Sequence, residues 1–271
     1  MNGKELSEAL RGGRRVYATL TVSTSPRWPS VVKGLGLDFV FIDTEHTPIP
    51  RDTLSWMCET YRAMDLAPVV RIPEPDPYMA CMVLDGGACG VIAPYVETVE
   101  QVQALRGAVK LRPLKGKRLA DALSGKTELE PEVAAYLENN NAGNVLIVNI
   151  ESRPAVAALD DLLAVPGLDA VLIGPHDLSI NFGVPEQYDH PVFNEAVSDV
   201  IRRARAKGVG AGVHFWPNIE KQIGWGRDGA NIIIHGSDLQ RFSGAIQEDI
   251  GAVREALGDQ RDAGDIEGAV T

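Results

Sequence analysis

Eight short apolar runs alternate along the chain with longer segments in which apolar positions recur at helical spacing. The runs cover residues 16–22, 39–43, 68–72, 90–96, 145–150, 170–173, 210–215 and 231–235. Each is rich in Val, Ile or Ala and shows little apolar–polar alternation, the pattern of strands buried on both faces and hence of a parallel sheet. The segments between them read as helices. Residues 52–64 place Leu54, Met57, Cys58 and Tyr61 on one face, and residues 98–109 open on a Thr cap and carry Val99, Val102 and Leu105. Residues 193–207 and 239–257 follow the same rule. Eight strand–helix pairs in a chain of this length predict a (β/α)8 TIM barrel. A doubly wound open sheet would need a Gly-rich phosphate turn after an early strand. Here GLGLD, from Gly34, precedes a strand, and DGGACG, from Asp85, reads as a helix-ending turn before the fourth strand.

One segment breaks the rhythm. Residues 112–143 hold RPLKGKRL, a short helix expected over 131–137, and NNNAG, an excursion of the length used for lids and subunit contacts. The last residues, about 258–271, are polar and Gly-rich and are expected to fray. With 271 residues the chain fits a single barrel domain over 1–271. The net charge of −11 comes with scattered basic residues, so no positive face for nucleic acid is expected and the acidity reads as solubility. Three cysteines without metal-finger spacing read as free thiols of a reducing cytoplasm. No apolar run approaches the ~20 residues of a membrane span, and the first residues lack an apolar signal core. A cytoplasmic protein without membrane partners is expected.

Barrel enzymes place their chemistry at the C-terminal ends of the strands. Read in order, those ends carry Asp43, Glu45 and His46; Arg71; Pro94 and Tyr95; Glu151; Gly174, His176 and Asp177; His214; and His235. Four of the five histidines fall at or just past a strand end, which points to a polar rim. Glu151 and Asp177 end successive strands, and two carboxylates on one rim suit a hard divalent cation, Mg²⁺, Mn²⁺ or Co²⁺, with water or substrate completing the shell. Taken singly, each also reads as a helix-capping acid. Arg71 can hold a carboxylate or a developing enolate oxygen. His46, with Asp43 to orient it, has the form of a base and its orienter. None of the eight lysines ends a strand, which argues against imine chemistry. The first strand lacks the His-x-His pair of a zinc hydrolase, and His214 and His235 read as supporting or structural residues.

In this order DTEH, PVVRIP, LDGGACGVIAPYV, IES and IGPHDLS resemble the HpcH/HpaI aldolase family of metal-dependent pyruvate aldolases, over about residues 16–239. The resemblance implies metal-binding roles for Glu151 and Asp177 and a catalytic role for His46 with Asp43. It implies an arginine at the substrate keto oxygen in Arg71, and in Asp85 an acid that supports the site or comes from a neighbouring subunit. It implies a substrate-binding segment, Gly174, Pro175, His176 and Asp177, whose amides hold the pyruvate carboxylate. It further implies a homo-oligomer, trimer or hexamer, with an exchanged C-terminal helix. The expected reaction is reversible cleavage of a 4-hydroxy-2-oxo acid to pyruvate, or a close 2-oxo acid, and an aldehyde. Alternatives are an acyl-CoA lyase of the malyl-CoA or citrate lyase type and a non-catalytic 2-oxo-acid-binding barrel. The sequence departs from the family at 113–119, where a glycine after Arg118 is replaced by Leu119 in a loop implied to shape the aldehyde side. It departs again at His176, where a small residue is usual.

Overall fold

A computed structural model describes residues 1–259. The eight strands are β1 (Val16–Thr21), β2 (Phe39–Asp43), β3 (Ala67–Arg71), β4 (Gly90–Ala93), β5 (Val145–Ile150), β6 (Ala170–Ile173), β7 (Gly210–Phe215) and β8 (Ile232–Ser237). They pair in parallel and in sequence order, and β8 closes on β1, which is the expected (β/α)8 barrel. The helices over Arg51–Ala63, Val99–Lys110, Pro191–Ala206 and Asp238–Leu257 match the expected ones to within two residues. The Thr98 side chain caps the second of these in a capping box with Gln101, satisfying amides that no intrahelical carbonyl reaches. Residues 260–271, most of the expected frayed tail, lie outside the described residues.

Side-chain parity along the strands decides what can reach the site. Phe39, Phe41, Ala67, Val69, Val145, Ile147, Ala170, Leu172, Ile232 and Ile234 pack together inside the barrel. Their neighbours Val40, Ile42, Val70, Leu146, Val148, Val171, Ile173 and Val213 pack outward against the helices. Successive strand residues point to opposite faces. Continuing the inward set to the C-terminal ends gives Asp43, Arg71, Asn149, Glu151, Gly174 and His214. Polar groups thus begin where the apolar filling of the barrel stops.

Two parts depart from a regular barrel. The segment 112–143 forms two helices, Gly116–Leu123 and Pro131–Asn141, between the helix Val99–Lys110 and the start of β5. That connection leads into the N-terminal end of β5, opposite the rim, so within one chain the segment does not shape the aldehyde side of its own site. The second helix runs four residues beyond its expected end because Asn141 Nδ2 donates to the Leu137 and Arg112 carbonyls, fixing the last turn. The other departure is the last helix. After its first turn, where Asp238 receives the amides of Val22 and Ser23, it leaves the barrel wall. Leu239, Phe242, Ile246, Ile250, Val253 and Leu257 are all exposed along it.

Candidate active site

The rim is organised around Arg71. Its Nε and Nη2 donate to the two oxygens of Asp43, both at 2.8 Å, a paired contact across adjacent strands set by the register Asp43↔Arg71. Nε also lies 3.1 Å from Glu45 Oε2. Nη1 makes no hydrogen bond among the described residues and stays available. Burial alone would raise the Asp43 carboxyl, but the Arg71 hydrogen bonds and charge outweigh it and hold the group below the usual carboxylate range. Arg71 is raised in turn: burial works against its charge, and Asp43 and Glu45 more than restore it.

Glu151 stands one residue past β5 and is buried. Its Oε2 accepts from the Tyr95 amide at 3.0 Å and its Oε1 from Asn149 Nδ2 at 2.8 Å. Burial pushes its carboxyl up to about 7, with the charges of Asp177 and Glu45 adding to the effect. No ion pair from a Lys or Arg reaches Glu151 or Asp177 among the described residues. Gly174 follows β6 against this group, and a Cβ there would overlap Glu151 Oε1. A side chain at 174 would fill the space in front of the carboxylate. Asp177 follows in the first turn of the helix Pro175–Asn181, which starts at Gly174.

A divalent cation fits this donor set. Two carboxylates lack a cationic partner among the described residues, one of them held up near neutrality by burial and by the other's charge. Among the described residues no group of three or more His, Cys, Asp or Glu forms a complete cage. A two-carboxylate site therefore suits a hard ion that keeps water or substrate oxygens in its shell.

Several expected residues fall elsewhere. His46 stands at the open side of the rim, its Nε2 3.8 Å from Glu45 Oε2, with its side chain 64% exposed and that of Glu45 9% exposed. Glu45 continues the inward parity of Asp43 and is the more buried of the two. Burial raises its carboxyl, Arg71 opposes the rise, and Asp43 and Asp177 add to it. Asp43, expected to orient His46, accepts its hydrogen bonds from Arg71 and from the Glu45 amide. His176 points toward Glu186, its Nδ1 3.3 Å from Glu186 Oε1. Asp85 ends the helix Pro77–Asp85 at the N-terminal end of the barrel and pairs with Arg112, so one chain does not bring it to its own rim. The two late-strand histidines also separate. His214 faces inward, with burial pushing it down to about 4, while His235 faces outward and bonds Gln222.

Three rim residues have no role that the sequence alone assigned. Glu45 and Asn149 were recoverable by extending strand parity from Asp43 and Glu151. Tyr95 was not: its amide reaches Glu151 because its backbone adopts a left-handed φ of 51°, which a non-glycine residue does not advertise.

A model of the HpcH/HpaI aldolase/citrate lyase family matches residues 21–245. The 2-keto-3-deoxy-L-rhamnonate aldolase of Escherichia coli strain K12 is 31% identical over 243 residues, spanning 89% of this chain and 90% of that protein. Among solved structures, an HpcH/HpaI aldolase from Desulfitobacterium hafniense DCB-2 superposes with a TM-score of 0.78 at 25% identity, covering 92% of this chain and 96% of that one. The citrate synthase SbnG superposes with a TM-score of 0.79 at 27% identity, covering 94% and 99%.

Proposed function

The chain belongs to the HpcH/HpaI aldolase/citrate lyase family, and we propose that it cleaves a 4-hydroxy-2-oxo acid reversibly to pyruvate, or a close 2-oxo acid, and an aldehyde. The observation that carries this reading is the Glu151–Asp177 pair, two carboxylates without a cationic partner beside an arginine held in place by Asp43. As family members of this type are, the protein is a divalent-metal-dependent aldolase. Mg²⁺, Mn²⁺ and Co²⁺ are the ions that suit an oxygen donor set of this kind.

Glu151 and Asp177 are the residues that would hold the ion. When bound, it supplies Lewis-acid polarisation of the 2-oxo acid's keto group. Arg71, its Nε and Nη2 engaged by Asp43, offers the remaining Nη1 to the charge that develops on the keto oxygen as the C3–C4 bond breaks. The amides of His176 and Asp177, in the first turn of the helix after Gly174, would receive the substrate carboxylate. His46, from the loop after β2, takes the C4 hydroxyl proton. Glu45 adds negative charge that favours a cation at the centre.

The substrate class follows from the relatives. An E. coli relative is named for a 2-keto-3-deoxy sugar acid, and a substrate of that class, with a hydroxylated aldehyde half, is the one proposed here. A homo-oligomer is part of the same reading. The exposed apolar stripe of the last helix and an outer cleft of about 480 Å³ beside β8, lined by Tyr17, Ile219, Ile223 and Ile233, support exchange of that helix between copies. Asp85 would then act at the rim of a second copy. No helix among the described residues is long and apolar enough to cross a membrane, and the protein is read as cytoplasmic.

The test is pyruvate release from a panel of short 4-hydroxy-2-oxo acids. Activity should vanish on thorough chelation and return with Mg²⁺, Mn²⁺ or Co²⁺. Activity that survives chelation, or none on any member of the panel with metal present, would refute the proposal.

A further inference from the structure

His214 lies at the rim but has no part in the scheme above. Ile173 pairs with Val213, so the next residues, Gly174 and His214, stand side by side on β6 and β7. Gly174 is the residue against Glu151, and it has no side chain. The imidazole is therefore the next side chain around the rim from the Glu151 carboxylate. Its ring meets the edge of Phe41 at 5.6 Å between centroids, and the Arg71 guanidinium lies 5.4 Å over the same Phe41 ring. Arg71 and His214 thus share one wall. Trp216, with its ring 5.3 Å away and partly exposed, bounds the imidazole on the outer side.

The tautomer follows from one contact. Nε2 lies 2.9 Å from the Gly236 carbonyl oxygen, which can only accept, so Nε2 carries the hydrogen. In the neutral ring Nδ1 is then an acceptor. Burial keeps the ring neutral at ordinary pH, with Arg71 and His235 also opposing a positive charge and Asp43 favouring one. A ring so reluctant to take a proton is a poor base and a good fixed acceptor. Nδ1 has no hydrogen-bond partner among the described residues, yet it is not among the buried polar atoms sealed from solvent. It presents a bare acceptor to the mouth of the barrel.

The carboxylates, Arg71 and the amides after Gly174 already serve the oxo-acid end of the substrate, which leaves His214 Nδ1 for the remaining hydroxyls. We propose that His214 is a specificity-determining residue whose Nδ1 accepts a hydrogen bond from a hydroxyl on the aldehyde half of the substrate. The inference rests on the aldolase reading and narrows it. A site built to bond a hydroxyl discriminates strongly against the analogue that lacks it, because the acceptor, cut off from water by the bound substrate, is then left unpaired.

Glycolaldehyde and acetaldehyde differ only by that hydroxyl, and each can be condensed with pyruvate by the metal-loaded protein. The wild type should favour glycolaldehyde. His214→Leu should lower kcat/KM for glycolaldehyde by roughly 10- to 100-fold and for acetaldehyde by less than about threefold. His214→Asn, which restores an acceptor, should recover part of the preference. Exchange of the pyruvate methyl protons with deuterated water, read by NMR, reports the oxo-acid end separately. A wild type that neither exchanges nor condenses overturns the aldolase reading and this inference with it. Intact exchange with equal losses on both aldehydes, or no loss on either, overturns this inference alone. Should the leucine variant not fold, ¹⁵N-histidine spectra of the metal-loaded wild type decide. The His214 Nδ1 resonance should move with glycolaldehyde and not with acetaldehyde, and the same response to both would overturn the proposal.

Discussion

At the scale of single residues, the site is a contest between burial and charge. Asp43 and Glu151 are both buried carboxylates on the inner face, yet they move in opposite directions because only Asp43 has an arginine. Burial drives Glu151 up to about 7 from an ordinary 4.5. A carboxyl raised in the folded state keeps its proton after the unfolded chain has lost it. Metal-free protein therefore loses stability as pH rises from about 4.5 to about 7, by roughly 3 kcal/mol in all, and carries the full penalty above that. Glu151→Gln removes the titration. Denaturant unfolding of both metal-free proteins at pH 5 and pH 8 should show the wild type losing ground to the variant at the higher pH. A constant difference between them would contradict the assignment. The pair Glu151 and Asp177 was legible in the sequence as acids ending successive strands, and Arg71 as an arginine directly before Ile-Pro. Glu45 was passed over in favour of His46, since a histidine advertises acid–base chemistry and a glutamate in a loop does not. Inward parity adds Glu45 to the site, because the residue two beyond Asp43 continues its face.

At the scale of elements, all eight strands were legible as short apolar runs, although the outward residues of β1 and β8 are only partly buried, and their limits shifted by no more than three residues. The connection over 112–143 was legible as an insertion but not as to its end of the barrel. That depends on its following a helix and not a strand: connections after helices close the N-terminal face. The last helix was legible as amphipathic, but its departure from the barrel was not, since an apolar stripe looks the same whether it covers its own sheet or another copy's. The stripe makes an expectation. Phe242→Asp with Ile250→Asp, both on exposed positions of that helix, should leave the barrel folded by circular dichroism and convert the oligomer to monomer in sedimentation or light scattering. An unchanged mass would show that the stripe is not an interface.

At the scale of the whole molecule, the site has two ends to reconcile. The rim holds Arg71, Glu151 and Asp177, while Asp85 and Arg112 lie paired at the opposite face of the same chain. If Asp85 serves a rim, that rim belongs to a second copy, and this is a statement about mixed assemblies. Asp85→Asn and Glu151→Gln homo-oligomers should each be nearly inactive in pyruvate release. Co-expressed, they should regain a measurable fraction, since some sites then draw both intact residues from different chains. Mixtures no more active than the separate variants, with hybrid assembly verified by mass spectrometry, would exclude a shared site.

The central claim is that Glu151 and Asp177 hold one divalent cation on which the 2-oxo acid is bound. Calorimetric titration of metal-free protein with Mn²⁺, with and without pyruvate, addresses it directly. The wild type should bind one ion per chain and take up pyruvate only once the ion is present, and Glu151→Gln/Asp177→Asn should bind neither. Wild-type affinity for Mn²⁺ in the double variant, or pyruvate binding that ignores the metal, would contradict the account.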